Sequence, residues 1–145
     1  MGNPETAGQL LELLLLDLYP DIPVARDKEL AEYLGVFPSF RIHEGISRVR
    51  IAAAGTHCPR MQEQLQIDFW QEISESTPED PSVMPAIEQA LDDFVSARIG
   101  PGGTVMRLVA DGPGHRAFNP LTSIAQDLMT VTATIQPASA QLVGA

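Results

Sequence analysis

The residues best suited to covalent chemistry in this sequence are His57 and Cys58, which are neighbours in the segment AGTHCP. A thiolate activated by an adjacent base is a common enzyme nucleophile. Consecutive side chains in an extended loop point apart, however, and the sequence identifies no third group that would orient the imidazole. We therefore expect Cys58, the only cysteine, to be a structural or incidental thiol that closes no internal disulfide.

Metal binding and acid–base catalysis have equally weak support. The histidines His43, His57 and His115 are far apart in the sequence, so surface histidines without a ligand are the simpler interpretation. Asp68 and Glu72 lie on one face of a predicted strand about 13 Å apart, which is too far for a carboxylate dyad. The glycines of GPGG and DGPGH lack the Lys-Ser/Thr of a phosphate loop. We expect no enzyme activity, no metal and no cofactor.

The stretch RMQEQLQIDFWQEI, residues 60–73, has the period of an amphipathic strand. Its apolar side is formed by Met61, Leu65, Ile67, Phe69 and Ile73. Trp70, the only tryptophan, falls on the polar side. A monomer normally presents solvated groups there, so the indole needs a cover, either from its own helix or loop or from another subunit.

A helix is predicted from about Pro4 or Glu5 to Leu18, and the two prolines of YPDIP end it. Its apolar surface is wide enough to lie between layers, with Leu10, Leu11, Leu14 and Leu18 on one face, widened by Leu13, Leu15 and Leu16. A short helix, DKELAEYLG, is predicted over residues 27–35.

A second main helix is predicted from about Pro81 or Ser82 to Arg98, with Asp80 as its N-cap and GPGG after its end. The apolar positions at helical spacing are Val83, Ile87, Ala90, Leu91, Phe94 and Val95.

Strand patterns account for most of the remaining chain. IPVARD predicts a short strand, SFRIHE places Phe40 and Ile42 on one face, and Gly45 marks a turn into SRVRIAA, whose core positions are Val49, Ile51 and Ala53. TVMRLVA and IAQDLMTVTATI are further strands, separated by a turn through DGPGHRAFNP. We predict one α+β domain over residues 1–136, with two main helices packed against a mostly antiparallel sheet, and a C-terminal tail over 137–145.

Composition fits one globular domain, with 145 residues of which 44% are hydrophobic and 19% charged. The net charge of −10 disfavours specific nucleic-acid binding, which depends on clustered cations. The apolar run LLELLLLDLY is too short and too charged to span a membrane. The N-terminus MGNPETAG lacks the basic start of a secretory signal, so we expect no export.

Charge is segregated along the chain. Residues 41–60 contain four arginines and one acid, whereas residues 61–97 contain nine acids and no lysine or arginine. A basic surface facing an acidic one attracts a neighbouring copy in one orientation and opposes the reverse. A merely solvated acidic face is the alternative.

The element order and the loose motif LQIDFWQE at residues 65–72 resemble the tail terminator, or tail-completion, proteins of long-tailed bacteriophages. The match covers roughly residues 5–136 and includes the leucine-rich first helix, the DIPV strand, the helix at PSVMPAIEQAL and a last long strand after a glycine-proline loop. The chain departs from simpler members in its proline-rich segment 77–85 and its longer C-terminal extension.

The resemblance implies a virion structural protein that forms a hexameric ring on the tail tube, ends tube polymerisation and joins the tail to the head. The implied partners are further copies, the tail-tube protein and the head-tail connector protein, with assembly in the host cytoplasm and no membrane contact. DNA would pass through the lumen without specific binding, which an acidic excess suits. The alternative is another neck or tail protein, such as a head-completion connector or a tail-tube subunit, and then a small enzyme or unrelated binding module.

In a closed ring, one patch of each copy meets a different patch on the next. Trp70 would be an anchor in such a contact, because aromatic residues are enriched in interface cores. Combined with the segregated charges, it defines a candidate subunit interface consisting of Arg41, Arg48, Arg50, Arg60, Asp68, Trp70 and Glu72.

Overall fold

The computed structural model describes residues 4–26, 36–51, 60–73, 82–100, 103–111, 115–121 and 123–137. These residues form two helices and seven strands. The elements in chain order are α1 (Ala7–Leu18), β1 (Val24–Arg26), β2 (Ser39–Ile51), β3 (Arg60–Glu72), α2 (Val83–Asp93), β4 (Ala97–Ile99), β5 (Gly103–Ala110), β6 (His115–Asn119) and β7 (Ile124–Pro137).

The strands form one sheet in the order β1-β2-β3-β7-β5-β4, and β6 also pairs with β7. Every pairing is antiparallel except that of β1 with β2. One edge of β7 pairs with β3 over most of its length, and the other edge pairs with β5 and then with β6. The long threonine-rich strand predicted near the C-terminus is therefore the central strand of the sheet.

The core lies between the helices and one face of the sheet. Leu65, Ile67 and Phe69 of β3 are buried there, as the alternation of residues 60–73 predicts. Phe40 of β2 is fully buried, and its ring centroid lies 5.0 Å from that of Phe69. The helices contribute Leu10, Leu11, Leu15, Val83, Ile87 and Leu91 to the same cluster. The predicted α+β class, with helices against a mostly antiparallel sheet, is confirmed.

α1 begins at Ala7, later than predicted, because Thr6 is its N-cap. The hydroxyl oxygen of Thr6 accepts a hydrogen bond from the backbone N–H of Gln9 at 3.1 Å. The helix ends at Leu18, before the prolines, as predicted. Within the described ranges, neither helix has the length and apolarity that a membrane span requires.

The predicted turn at Gly45 is wrong. β2 is one strand of 13 residues, and Gly45, with φ of 66°, lies in an irregularity between His43 and Ser47. Because glycine tolerates this backbone conformation, the strand bulges and continues instead of turning back. Val49 pairs with Gln62 on the polar side of β3 and is 54% exposed, so its predicted core position is also wrong. Ala53 and the side chain of Ile51 lie outside the described part of the chain.

α2 ends at Asp93 instead of Arg98. Phe94 is extended with ψ of 131°, and Val95, predicted on the apolar face, is 82% exposed. The next residues form β4, which pairs with β5, so strand pairing replaces the last predicted turns of helix. The predicted N-cap Asp80 lies outside the described residues, and Ser82 at the cap position makes no side-chain capping bond.

β6 was not predicted, since residues 111–120 were expected to form only a turn. This short strand pairs with the part of β7 that extends beyond β5. The predicted helix over residues 27–35, the loop that contains His57 and Cys58, and residues 138–145 lie outside the described residues.

Candidate subunit interface

The face of the sheet opposite the helices carries mainly polar side chains. We call it the open face and define it by Ser39, Arg41, His43, Gln66, Asp68, Trp70 and Gln126. These residues lie together because β2, β3 and β7 are adjacent, and residues at matching register project from the same side of a sheet. Trp70, for example, pairs with Ser39 on one side and Gln126 on the other.

Trp70 is half-buried on the open face, because the even-numbered residues of β3 project from that side of the sheet. The guanidinium carbon of Arg41 lies 4.6 Å from the centroid of the indole ring, which is a cation–π contact. The indole nitrogen is nevertheless buried and has no hydrogen-bond partner among the described residues. The hydroxyl of Ser39, at the paired position on β2, is likewise buried and has no hydrogen-bond partner among the described residues. The described residues therefore cover part of this indole without satisfying its donor.

Asp68 lies at the middle of a hydrogen-bonded group on the open face and is only 2% exposed. Its Oδ2 lies 2.9 Å from Nε2 of His43 and accepts a bond of 3.2 Å from the side-chain amide of Gln126. Its Oδ1 accepts a bond of 2.7 Å from the side-chain amide of Gln66. Three strands are thus connected through one carboxylate, which fixes the side chains around it.

Arg48 lies on the opposite side of the sheet from Arg41, since side chains alternate between the two faces of β2 and these two residues occupy alternate positions. Its Nε lies 3.2 Å from Oε1 of Glu63, whose side chain is 4% exposed. Burial raises the pKa of Glu63, and the charge of Arg48 counteracts part of this shift. Arg48 therefore stabilises a buried carboxylate of its own chain.

The remaining candidate residues lie apart from each other. Arg50 is exposed near the end of β2. Arg60 begins β3 and donates from Nε to the side-chain oxygen of Gln136 at 3.1 Å, whereas Glu72 is exposed at the far end of β3. The structure thus brings together Arg41, Asp68 and Trp70, and does not place the four arginines on one surface.

Sequence reasoning missed Ser39, His43, Gln66 and Gln126 as members of this site. The parity of β3 alone indicated Gln66, which lies two residues from Asp68 on the same face. The other three depend on the order of strands in the sheet, which no local pattern contains.

A second surface lies between the helices. We call it the interhelical groove; it encloses about 500 Å³ and is lined by Leu14, Asp17, Leu18, Ala86, Gln89, Ala90, Asp93 and Phe94. Its floor is apolar and its charged side chains are both acidic.

Among the residues that the structure describes, no three histidine, cysteine, aspartate or glutamate side chains are grouped in a way that could hold a metal ion. The His57–Cys58 pair lies outside those residues, so its geometry does not enter the site.

Comparisons with known proteins give limited similarity. No protein-family model matches the chain, and no curated protein matches it. Among solved structures, a chain of a structure titled "Virion of native gene transfer agent (GTA) particle" matches with a TM-score of 0.48 and 13% sequence identity. That match covers 90% of this chain and 87% of the other.

Proposed function

We propose that this chain is a virion structural subunit that acts by assembly and catalyses no reaction. It forms a closed ring, of six copies as the resemblance to tail terminators implies, at the end of a phage-like tail tube. The ring ends tube growth and joins the tail to the head connector. The observation that carries the proposal is the half-buried Trp70 on the open face, whose buried indole nitrogen has no hydrogen-bond partner in the described part of the chain.

A buried donor without a partner costs free energy, and the cost disappears when an acceptor reaches it. Tryptophan is enriched at interfaces because it buries a large apolar surface and also donates a hydrogen bond. A neighbouring copy that packs on the open face would cover the exposed part of the indole and supply the acceptor. Subunit contact therefore accounts for a feature that the monomer leaves unexplained.

The surroundings of Trp70 are suited to binding because they are already ordered. Asp68 connects His43, Gln66 and Gln126, and Arg41 lies over the indole. A surface whose side chains are fixed before contact loses less conformational entropy on binding.

The net charge of −10 fits a conduit through which DNA moves. Like charge opposes adhesion of the polyanion to the ring, whereas a lumen rich in cations would retain it. This supports a passage for DNA over a DNA-binding module.

The test is to measure the mass of the purified chain by light scattering and to image it by negative stain, alone and with tail tubes. The proposal expects closed rings that bind one end of a tube and stop its growth. Filaments of unlimited length would instead identify a tube subunit. A chain that remains monomeric at every concentration and leaves tubes unchanged would contradict the proposal.

A further inference from the structure

We propose that the interhelical groove receives residues 46–50 of β2 from a second copy of the chain. This inference rests on the ring proposed above, because it names two unlike surfaces that meet at each junction.

The groove has the properties of a docking surface. Leu14 and Leu18 of α1 face Phe94 and the alanines of α2 across it. Leu18 is 37% exposed although it belongs to a helix whose other face is in the core. Clustered apolar side chains at an open groove favour a partner that buries them.

The electrostatics of the groove favour a partner that carries a cation. Asp17 and Asp93 lie in the last turns of α1 and α2, and neither last turn contains a basic residue. The C-terminal end of a helix carries a partial negative charge, so acids there are unfavourable and cations are favourable. Segments 4–23 and 82–97 contain no lysine or arginine. Neither helix therefore supplies a lysine or arginine of its own to offset this negative potential.

Residues 46–50 of β2 have the complementary properties. Ile46 and Val49 are 50% and 54% exposed. Arg50 is exposed and makes no ion pair with any described residue. β1 pairs with β2 only at residues 40–42, so the described part of the sheet leaves this stretch of β2 on an outer edge. Apolar side chains and a cation without an ion pair in the described chain are thus presented at an edge that no described strand covers, with Val49 and Arg50 on its two faces.

The contact cannot form within one chain. Tyr19, just after α1, packs on Phe40, with ring centroids 5.7 Å apart, while Gly8 near the start of α1 lies against Glu44. The groove is formed by the C-terminal half of α1, toward Phe40, whereas residues 46–50 extend beyond Glu44 in the other direction. Residues 46–50 and the groove therefore lie toward opposite ends of α1, so they can meet only between two copies.

Other cations are less suited to the groove. Arg26 and Arg116 are engaged with acids of their own chain. Arg107 is exposed beside the exposed Met106, but it lies on β5, which is paired with β7. Arg107 is therefore the natural control for Arg50.

The experiment measures the association constant of the full-length chain by light scattering and sedimentation, for the wild type and four variants. Arg50→Glu and Asp17→Lys should each weaken association at least tenfold, because each places like charges across the junction. The combined variant, which exchanges the two charges, should recover most of the loss. Arg107→Glu has the same charge change as Arg50→Glu and should associate like the wild type.

A mixture of the two single variants gives an independent readout. The Arg50→Glu chain retains the native groove, and the Asp17→Lys chain retains the native residues 46–50. Every junction between unlike chains then places opposite charges across the contact, because its two charges are either both native or both exchanged. Equimolar mixing should therefore restore association into rings of alternating chains, although each variant alone associates weakly. Circular dichroism melts verify that all variants are folded.

The outcomes separate this inference from the proposed function. A wild-type ring whose mass is unchanged in Arg50→Glu and Asp17→Lys would overturn the groove contact and leave the ring intact. Equal weakening by Arg107→Glu would also overturn it, since net charge would then be the cause. A wild type that never associates would contradict the ring, and the groove contact with it.

Discussion

The guanidinium of Arg41 lies over the ring of Trp70, with its central carbon 4.6 Å from the ring centroid. The indole is thus held against the open face by its own chain, while its nitrogen has no partner among the described residues. The monomer thus provides a positioned aromatic ring, and a neighbouring copy would add the hydrogen-bond acceptor.

Trp70→Ala should lower the free energy of unfolding of the monomer by only about 1–2 kcal/mol, the loss of a partly exposed cation–π contact and of partial burial. Association should weaken by about 2 kcal/mol or more per interface, as for a central aromatic anchor. Urea unfolding of dilute, monomeric protein and sedimentation at higher concentration measure the two effects. Trp70→Phe is the control, because it retains an aromatic ring beneath Arg41 while it lacks the N–H and the second ring of the indole. A monomer destabilised by about 3–5 kcal/mol, with association unchanged, would show that Trp70 belongs to the chain's own core.

Stability should fall with rising pH through the titration of Glu63. Burial raises the pKa of this carboxyl, so the folded protein retains the proton at pH values where the unfolded chain has lost it. The unfolding free energy therefore decreases as pH rises from the ordinary glutamate value to the raised one, and the cost is fully present above it. Glu63→Gln removes this contribution, so its stability relative to wild type should increase over that window. A difference between the two proteins that does not change between pH 4 and 8 in urea unfolding would refute the assignment.

Arg116 and Asp127 form a bidentate pair, with bonds of 2.7 and 2.8 Å from Nε and Nη2. The hydrogen bond with Asp127 raises the pKa of Arg116. Arg116→Met should leave the mostly buried carboxylate without its donor and lower the unfolding free energy by about 1–3 kcal/mol. Replacing both residues, Arg116→Met with Asp127→Leu, should recover much of the loss in thermal melts. The exposed Arg98 offers a matched control, since Arg98→Met should change stability by less than about 0.5 kcal/mol.

Two glycines with positive φ should respond differently to alanine. Gly103 has φ of 134°, and a methyl group there would collide with the backbone of Gln136 and Pro137 on β7. Gly103→Ala should therefore destabilise the fold by about 3 kcal/mol, from backbone strain and overpacking together. Gly45 has φ of 66° and open space around its Cα, so Gly45→Ala should cost only about 1–2 kcal/mol. Equal losses in chemical unfolding would contradict this reading of the β5–β7 contact.

Local sequence patterns predicted the elements in which buried residues recur at one regular spacing. The alternation around Leu65 and Ile67 identified β3 and its core side because one face of that strand is covered and the other is not. Gly45 misled the prediction, since a turn and a bulge use the same backbone conformation. Phe94 and Val95 continue the helical spacing of α2, and only the pairing of the next residues with β5 ends the helix.

The candidate site was predicted in part for the same reason. Asp68 and Trp70 are both even-numbered residues of β3, which placed them on one face. Arg41 and Arg48 are an odd-numbered and an even-numbered residue of β2, so the same alternation would have separated them. The bonds of Asp68 with His43 and Gln126 join residues 25 and 58 positions away. Such contacts arise from the order of strands, which depends on the packing of the whole chain.

The central strand β7 is synthesised after every strand that it joins. Until residues 124–137 are synthesised, β3 and β5 have no common neighbour among the described strands, so pairing of this sheet cannot be completed before β7 is available. A copy cut short before β7 would lack the strand that unites the two halves of the sheet and presents Gln126 beside Trp70. Synthesis of β7 is therefore the step that joins the two halves of the described sheet, and a chain without it lacks the partner strand of both β3 and β5.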